Sequence, residues 1–204
     1  GSLGQKIGSL YNLAMDSVRR NREAAEPLQP ILKTINSIQD RREYQIVTAQ
    51  LDMRGVGCTM FGVGVGADMK DAANNLVSVG QGGLGLGDRD YYMNDDAQTL
   101  KIREAYKQFI VKLLMLSGYK KADAERMRDN VMGIEMELAK VAMTRTEQRD
   151  YMAQYNIRTL AEVEKLCPNI DWKQYLTAQY LPIVDSMCVM QLKSLEKVNE
   201  LIAN

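Results

Sequence analysis

Residues 81–92 have the sequence QGGLGLGDRDYY, and they mark the point where the character of the chain changes. The segment combines turn-forming glycines, charges of both signs and two adjacent tyrosines. Its aspartates can form charge-assisted hydrogen bonds with the arginine between them, and the tyrosine rings can be buried while their hydroxyls find partners. We therefore predict a well-ordered loop, in which a structural role is favoured over a functional one. We expect Arg89 to pair with Asp88, with Asp90 or with a helix carboxylate such as Glu135.

The region before this loop is predicted to form strands. Ten of the fifteen glycines lie between Gly55 and Gly87. From residue 60 to 65 every second residue is larger, which places Phe61, Val63 and Val65 on one side of a strand with glycines on the other. Residues 76–79 are a second short strand candidate. We predict a small antiparallel β-hairpin at about residues 59–80, leaning on helices because isolated strand pairs are marginally stable.

The glycines at positions 62–66 also invite a nucleotide-binding interpretation. The dinucleotide fingerprint needs a strand before the glycines and a helix directly after them, within a parallel βαβ unit. Here the glycines lie inside the strand itself, and no GK[ST] motif exists. A structural role that permits close backbone approach is favoured.

Helical periodicity dominates the remainder of the chain. The predicted helices cover about 3–20, a segment starting at Pro27–Pro30, and then 40–54, 100–116, 123–143, 159–167, 171–178 and 186–203. Thr159 with Glu162 is a capping box, and Asp40 with Glu43 resembles one. The fold class is mainly α, a multi-helix lobe with one small hairpin, in a single domain over residues 1–204. Trp172 is expected to be buried with Tyr175 and Leu176.

Composition narrows the possible functions. Twenty-six basic residues balance twenty-six acidic ones, whereas a nucleic-acid binder usually shows a basic excess and a membrane-surface helix a basic face. The longest apolar stretch is too short for a membrane span, and the first residues have no signal-peptide pattern. No nucleic-acid partner and no membrane contact are expected from this segment.

The chain contains no histidine. Serine and cysteine nucleophile schemes that depend on histidine are therefore excluded, as is an HExxH zinc site. The three cysteines, Cys58, Cys167 and Cys188, lack metal-ligand spacing. Buried free thiols are favoured, with a Cys167–Cys188 disulfide as the alternative. The ExxxD pattern at Glu125 and Asp129 is interpreted as a solvated charge run.

Several blocks, in order and at matching spacing, resemble the neprilysin and oligopeptidase O family of zinc metalloendopeptidases. The central block is similar to the family signature Q-x-GLGLPDRDYY, with Gly87 standing where the family usually has proline. Phe61 and the turn at Asp68 and Lys70 precede it. The residues taken as family signature, with a structural role, are Gly85, Leu86, Asp88, Arg89, Asp90, Tyr91, Tyr92, Glu135, Arg149, Asp150, Tyr155, Asn156, Asp171 and Trp172.

The resemblance implies that this chain is part of a non-catalytic N-terminal lobe, which covers the cleft of the whole enzyme and restricts substrate size. The family's zinc ligands lie in a C-terminal catalytic domain outside this chain, so no catalytic, metal or substrate-binding residue is assigned here. Zinc is implied for the full-length enzyme and no cofactor for this chain. The implied partners are the catalytic domain of the same polypeptide and peptide substrates. An extracytoplasmic location is implied as well.

A different class of protein remains open from the residues alone. The helical stripes fit a self-standing helical interaction module without enzymatic activity equally well. An HExxH motif further along the open reading frame would decide for the peptidase, and its absence would favour the module.

Overall fold

The computed structural model describes residues 1–57 and 60–203. The described helices are α1 (Leu3–Met15), α2 (Ser17–Glu23), α3 (Gln29–Asn36), α4 (Arg41–Met53), α5 (Asp90–Met93), α6 (Ala97–Leu116), α7 (Lys121–Val141), α8 (Leu160–Leu166), α9 (Trp172–Ala178) and α10 (Leu192–Ala203). The strands are β1 (Phe61–Ala67), β2 (Asn75–Gln81), β3 (Ile157–Thr159) and β4 (Ser186–Val189). The mainly α prediction is confirmed. Cys58 and the predicted start of the hairpin at Thr59 lie outside the described residues.

The predicted hairpin is half of a larger sheet. β1 and β2 pair antiparallel from Phe61 opposite Gln81 to Ala67 opposite Asn75, as expected. The strand order is β1-β2-β4-β3, with β4 parallel to β2 and antiparallel to β3. The description as one simple hairpin was therefore wrong. The partner strand β4 comes more than a hundred residues after β2, and local patterns carry no information on such pairings.

The last predicted helix was wrong in its first residues. Residues 186–189 form β4, and the helix begins only at Leu192. Met187, Cys188 and Val189 are all buried, so the segment is apolar on both faces. A short apolar run of this kind does not distinguish a buried strand from a buried helix. The position of β4 between β2 and β3 decides the matter.

The main core lies where the sheet meets five helices. Trp172, Tyr175 and Leu176 of α9, Val163 of α8 and Val198 of α10 are each at most 1% exposed. They pack with the buried valines of β2 and β4 and with residues of α4 and α7. The predicted burial of the tryptophan with its two neighbours is confirmed. A second, smaller cluster joins α5, α6 and α7 around Tyr92 and Ile110.

The large apolar side chains of the first helices lie on the surface rather than in the core. The predicted single helix divides at Asp16, whose side chain caps α2 by accepting from the backbone N–H of Arg19 at 2.8 Å. Neither α1 nor α2 nor α3 contains a buried residue.

Within 1–57 and 60–203, every helix is too short or too polar to cross a lipid bilayer.

The predicted caps are present where a polar side chain can accept a backbone N–H. Thr159 and Glu162 form a reciprocal capping box on α8. Asp40 caps α4 by accepting from the backbone N–H of Glu43. Asp171, which was not predicted as a cap, caps α9 by accepting from the backbone N–H of Gln174. Such caps depend only on neighbours within three residues, so the sequence is sufficient to locate them.

Candidate functional site

The loop at 81–92 is attached to α7 through one carboxylate. Glu135 is 8% exposed and accepts three hydrogen bonds: from the hydroxyl of Tyr92 at 2.6 Å, from the hydroxyl of Tyr106 at 2.9 Å and from the backbone N–H of Gly85 at 3.2 Å. The Tyr92 hydroxyl also accepts from the backbone N–H of Leu86 at 2.9 Å. Burial, followed by the hydrogen bond to the carboxylate, raises the pKa of both tyrosines.

Gly85 lies so close to this cluster that no side chain fits there. A Cβ added at this position would lie 1.9 Å from the Tyr106 hydroxyl oxygen and 2.9 Å from Oε1 of Glu135. Glycine thus lets the backbone reach the carboxylate directly. Leu86, the next residue, packs on the second core cluster.

Gly87 has a backbone conformation that proline cannot adopt. Its φ is +77°, whereas the proline ring holds φ near −65°. Its N–H also donates to the carbonyl of Leu84 at 2.9 Å. Gly87, which stands where the family signature usually has proline, therefore forms a turn that requires glycine.

We predict that introducing the family proline here is destabilising. Gly87→Ala should lower the free energy of unfolding by about 1 kcal/mol through the positive φ. Gly87→Pro should cost at least about 1 kcal/mol more because it also loses a hydrogen bond. Equilibrium urea unfolding measures both. A proline variant as stable as the unaltered chain would show that the loop can adopt a different turn.

The ion pair in the loop differs from the predicted one. The carboxylate of Asp88 pairs with Arg145, just beyond α7, and accepts the backbone N–H of Asp90 at 2.9 Å. The bond from Asp90, and then the Arg145 guanidinium, hold the pKa of Asp88 below its ordinary value. Arg89 instead donates from Nε to the carbonyl of Ala139 at 3.2 Å. Within the described residues it has no carboxylate at ion-pair distance, so the expected pairing with Asp88, Asp90 or Glu135 was wrong.

The second block of signature residues surrounds the tryptophan. The ring of Trp172 lies 5.7 Å from that of Phe61 and 6.2 Å from that of Tyr175, between centroids. Its Nε1 donates to the carbonyl of Cys167 at 3.2 Å, and the Tyr175 hydroxyl donates to Asp52 at 3.1 Å. Residues from β1, α4 and α9 are thereby joined in one cluster.

A third cluster joins the hairpin turn to the segment before β3. The hydroxyl of Tyr155 donates to both carboxylate oxygens of Asp68, at 2.9 and 3.0 Å, and Lys70 Nζ lies 4.4 Å from the centroid of the tyrosine ring. The pKa of Asp68 is lowered, mainly by the backbone N–H of Lys70, and that of Tyr155 is raised by the bond to the carboxylate.

The other signature residues form hydrogen bonds between side chains and backbone groups, or are exposed. Asp150 accepts from the N–H groups of Met152 and Ala153. The side chain of Asn156 donates to the carbonyl of Ala153 at 2.9 Å. Arg149 is exposed. The backbone carbonyl of Tyr91 accepts from Nε of Arg103 at 3.0 Å.

A groove of about 860 Å³ lies between the hairpin, α4 and α7. Its walls are mostly apolar or glycine, and two carboxylates lie on its wall. The lining includes Asp52, Met60, Phe61, Val63, Leu84, Val131, Ile134 and Glu135. Both carboxylates already accept hydrogen bonds from tyrosine hydroxyls.

The available donors do not fit a zinc ion. Within 1–57 and 60–203, no three residues among histidine, cysteine, aspartate and glutamate lie close enough together to share a metal. Glu125 and Asp129 are 44% and 68% exposed. Cys167 and Cys188 are buried and free, which excludes the alternative disulfide. Burial raises the pKa of the Cys167 thiol to about 12, far from the thiolate that a metal requires.

Three glutamines, of which only Gln81 belongs to a sequence motif, form a largely buried polar chain. Gln191 accepts the backbone N–H of Gln81 at 2.7 Å and donates to Gln154 at 2.8 Å. Gln81 in turn accepts the backbone N–H of Met143 at 2.8 Å. Gln154 and Gln191 are 4% and 7% exposed. The available signal was weak: Gln191 stands between apolar residues, and Gln81 opens the signature.

A family model and several known proteins match the sequence of this chain. The model for the N-terminal part of peptidase family M13 matches residues 1–204. Endothelin-converting enzyme 1 of Mus musculus is 29% identical over 216 residues, which cover 98% of this chain and 27% of the relative. Neprilysin-1 of Caenorhabditis elegans is 25% identical and is covered to 29% of its length.

Solved structures share the fold. The zinc metalloprotease of Mycobacterium tuberculosis in complex with an inhibitor has a TM-score of 0.88 and 29% identity, over 99% of this chain and 31% of that one. PEPO from Lactobacillus rhamnosis, at 18% identity and a TM-score of 0.74, shares the fold alone. The chain thus spans less than a third of these relatives, and the resemblance found in the sequence is confirmed. Residues 1–204 belong to peptidase family M13, as its N-terminal region.

Proposed function

We propose that residues 1–204 are part of a non-catalytic lobe that covers the catalytic cleft of a longer zinc metalloendopeptidase and limits the size of its substrates. The chain contributes no zinc ligands and no hydrolytic group under this proposal. Its C-terminal partner in the same polypeptide supplies both, and peptides are the substrates. The family membership of all 204 residues supports the proposal, as does the short fraction of each relative that they cover.

The observation that carries the proposal is the exposed apolar stripe of α1 and α2. Leu3, Leu10 and Val18 are 74%, 69% and 76% exposed, and Ile7, Tyr11 and Met15 are at least 60% exposed. Soluble proteins seldom leave large contiguous apolar patches in water unless another surface covers them. A stripe with helical spacing, on helices without a buried residue, fits a helix that docks on the remaining part of the enzyme.

We further propose that the signature residues are structural. The carboxylate of Glu135 accepts hydrogen bonds from three donors of this chain, so its oxygens are engaged within the lobe. Its bonds fix the loop at 81–92 to α7 and so hold the groove wall in place. The Trp172 and Tyr155 clusters fix the hairpin to α9 and to the segment before β3 in the same way. A rigid wall is what a size-limiting lobe requires.

Zinc would be held outside this chain. When bound, it would activate a water for peptide-bond hydrolysis; the contribution of residues 1–204 is to enclose the cleft and exclude larger substrates. By family resemblance we also propose an extracytoplasmic location for the whole enzyme, periplasmic, secreted or membrane-anchored.

The proposal predicts a division of activity between the two parts of the polypeptide. The whole polypeptide should bind about one zinc, because a catalytic site needs three protein ligands, and should cleave a short quenched peptide in a chelator-sensitive way. It should leave a long unfolded protein largely uncut. Residues 1–204 alone should show neither metal nor cleavage. Elemental analysis and fluorescence measure these outcomes.

Two results would contradict the proposal. Stoichiometric zinc with chelator-sensitive cleavage from residues 1–204 would place the active site in this chain. A whole polypeptide without zinc or cleavage would favour the interaction module, for which the same exposed stripe on α1 and α2 would bind a separate protein.

A further inference from the structure

In the part of the chain that the structure describes, one edge of strand β1 has no neighbouring strand. Only β2 lies beside it in the sheet order of the described residues. The N–H of Asp68 donates to the carbonyl of Asn74, the next opposed pair after the strand, at 2.9 Å. Because hydrogen-bonded and non-hydrogen-bonded pairs alternate in an antiparallel ladder, the three glycines of β1 bond to β2. The backbone groups of Val63, Val65 and Ala67 then point to the free edge.

Strand β4, which lies on the other side of β2, confirms which residues of β1 bond to β2. Val79 lies opposite Val63, and its carbonyl accepts from the N–H of Met190, which follows β4 on the far side of β2. The Val63–Val79 pair is therefore not bonded across the hairpin. Among residues 1–57 and 60–203, no hydrogen bond is recorded for the outward groups of Val63, Val65 or Ala67.

This edge lacks the charge, proline and bulge that commonly protect an exposed strand. Natural edge strands carry charged residues, proline or a bulge, which prevent pairing with another chain. Residues 61–67 contain no charge and no proline, and the register with β2 continues through all positions from Phe61 to Ala67 without a bulge. Val65 is 53% exposed. The edge is suited to permanent pairing rather than to contact with water.

We infer that an extended segment of the same polypeptide, from outside residues 1–204, adds to β1 as a further strand of this sheet. The inference rests on the proposed function, in which more than two thirds of the enzyme lies outside this chain, as it does in the relatives. An intramolecular strand is favoured over a passing peptide because an unprotected edge is tolerated only where it is constantly covered. Backbone hydrogen bonds would supply most of the affinity.

The surroundings of the edge define the side chains that the added strand carries. The groove described above is lined by Phe61 and Val63, so it adjoins the first half of the edge. Every second residue of the added strand lies on that face, where Leu84, Val131 and Ile134 complete an apolar wall. On the opposite face, a Cβ at Gly62 or Gly66 would meet no atom within 4 Å. The added strand should therefore be apolar towards the groove and unrestricted on its other side.

Amide hydrogen exchange of the whole polypeptide, resolved to single residues, tests the inference. The amides of Val63 and Val65 are the probes, and those of Gly64 and Gly66, which bond to β2, are internal controls. Protection factors of the probes should lie within about tenfold of the controls, equivalent to about 1.4 kcal/mol, at every protein concentration. Probes that exchange like unstructured amides would overturn the inference. Protection that rises with concentration would overturn it too, since a second copy would then occupy the edge.

A pair of variants at one position provides a second readout. Val65→Pro removes an outward N–H without breaking the ladder to β2, and proline is tolerated at such edge positions. Val65→Thr keeps the N–H. In the whole polypeptide the proline variant should lower Tm and reduce the protection of Val63 at least about tenfold, whereas the threonine variant should change neither. Identical behaviour of the two variants would contradict the added strand.

Failure of this inference can be distinguished from failure of the proposed function. Unprotected amides contradict the added strand whatever the activity. A polypeptide without zinc-dependent cleavage contradicts the proposed function whatever the amides show.

Discussion

Replacing Trp172 with alanine is expected to lower the free energy of unfolding by ~3–5 kcal/mol, the usual cost of removing a fully buried ring. The indole is 0% exposed, contacts the rings of Phe61 and Tyr175, and donates to the carbonyl of Cys167. Its removal would open a cavity at the point where β1, α8 and α9 meet. Because it is the only tryptophan, urea unfolding should be followed by circular dichroism rather than by fluorescence.

Tyr151→Ala serves as the control for this variant. Tyr151 is also aromatic but is 67% exposed, so its loss should stay within about 0.5 kcal/mol. A Trp172→Ala cost no larger than that of the control would show that the tryptophan does not anchor α9 to the sheet.

Glu135→Ala is the second variant for which a large effect is expected. It leaves the hydroxyls of Tyr92 and Tyr106 and the N–H of Gly85 without their acceptor. Each buried group left unpaired costs about 1–3 kcal/mol. Because only Tyr92 of the three residues is buried, a total of roughly 2–5 kcal/mol is expected. Thermal or urea unfolding measures the loss, and hydrogen exchange of Leu86 should show whether the loop has separated from α7.

Two further substitutions show whether the cost of Glu135→Ala arises from the lost hydrogen-bond acceptor or from the loss of any carboxylate on α7. Glu135→Gln keeps an acceptor and the shape of the side chain, so it should cost less than alanine. Glu125→Ala removes an exposed carboxylate from the same helix and should cost under about 1 kcal/mol, as surface ion pairs do. A cost for Glu135→Ala as small as that of Glu125→Ala would contradict the anchoring role of the buried carboxylate.

The position of β4 shows most clearly what local sequence patterns could not reveal. Residues 187–189 are all apolar, so they fit a buried helix as well as a buried strand. Only the neighbouring strands β2 and β3, far away in the chain, provide the hydrogen-bond partners that make this segment extended. Periodicity predicted a helix at the position of α1, but spacing cannot say whether the surface that covers an apolar face lies within the same chain.

At the candidate site, the loop at 81–92 likewise separates what local sequence patterns predict from what long-range contacts decide. Its residues were recognisable from their order alone, and the ordered loop was predicted from turn-forming and aromatic residues. The identity of each partner was not. Asp88 pairs with Arg145, 57 residues away, and Tyr106, which no motif marked, shares the carboxylate of Glu135 with Tyr92.

By itself, then, the sequence determined the elements that depend on near neighbours: the capped helices α4, α8 and α9, the antiparallel β1–β2 pair, the absence of histidine and membership of peptidase family M13. Capping, turn formation and strand alternation act over a few residues, and family motifs are read in order along the chain. The tertiary structure alone decided the four-stranded mixed sheet, the burial of Glu135, the partner of Asp88 and the exposure of α1. These features depend on contacts between residues far apart in the chain, and their energies arise only when the packed core brings those residues together.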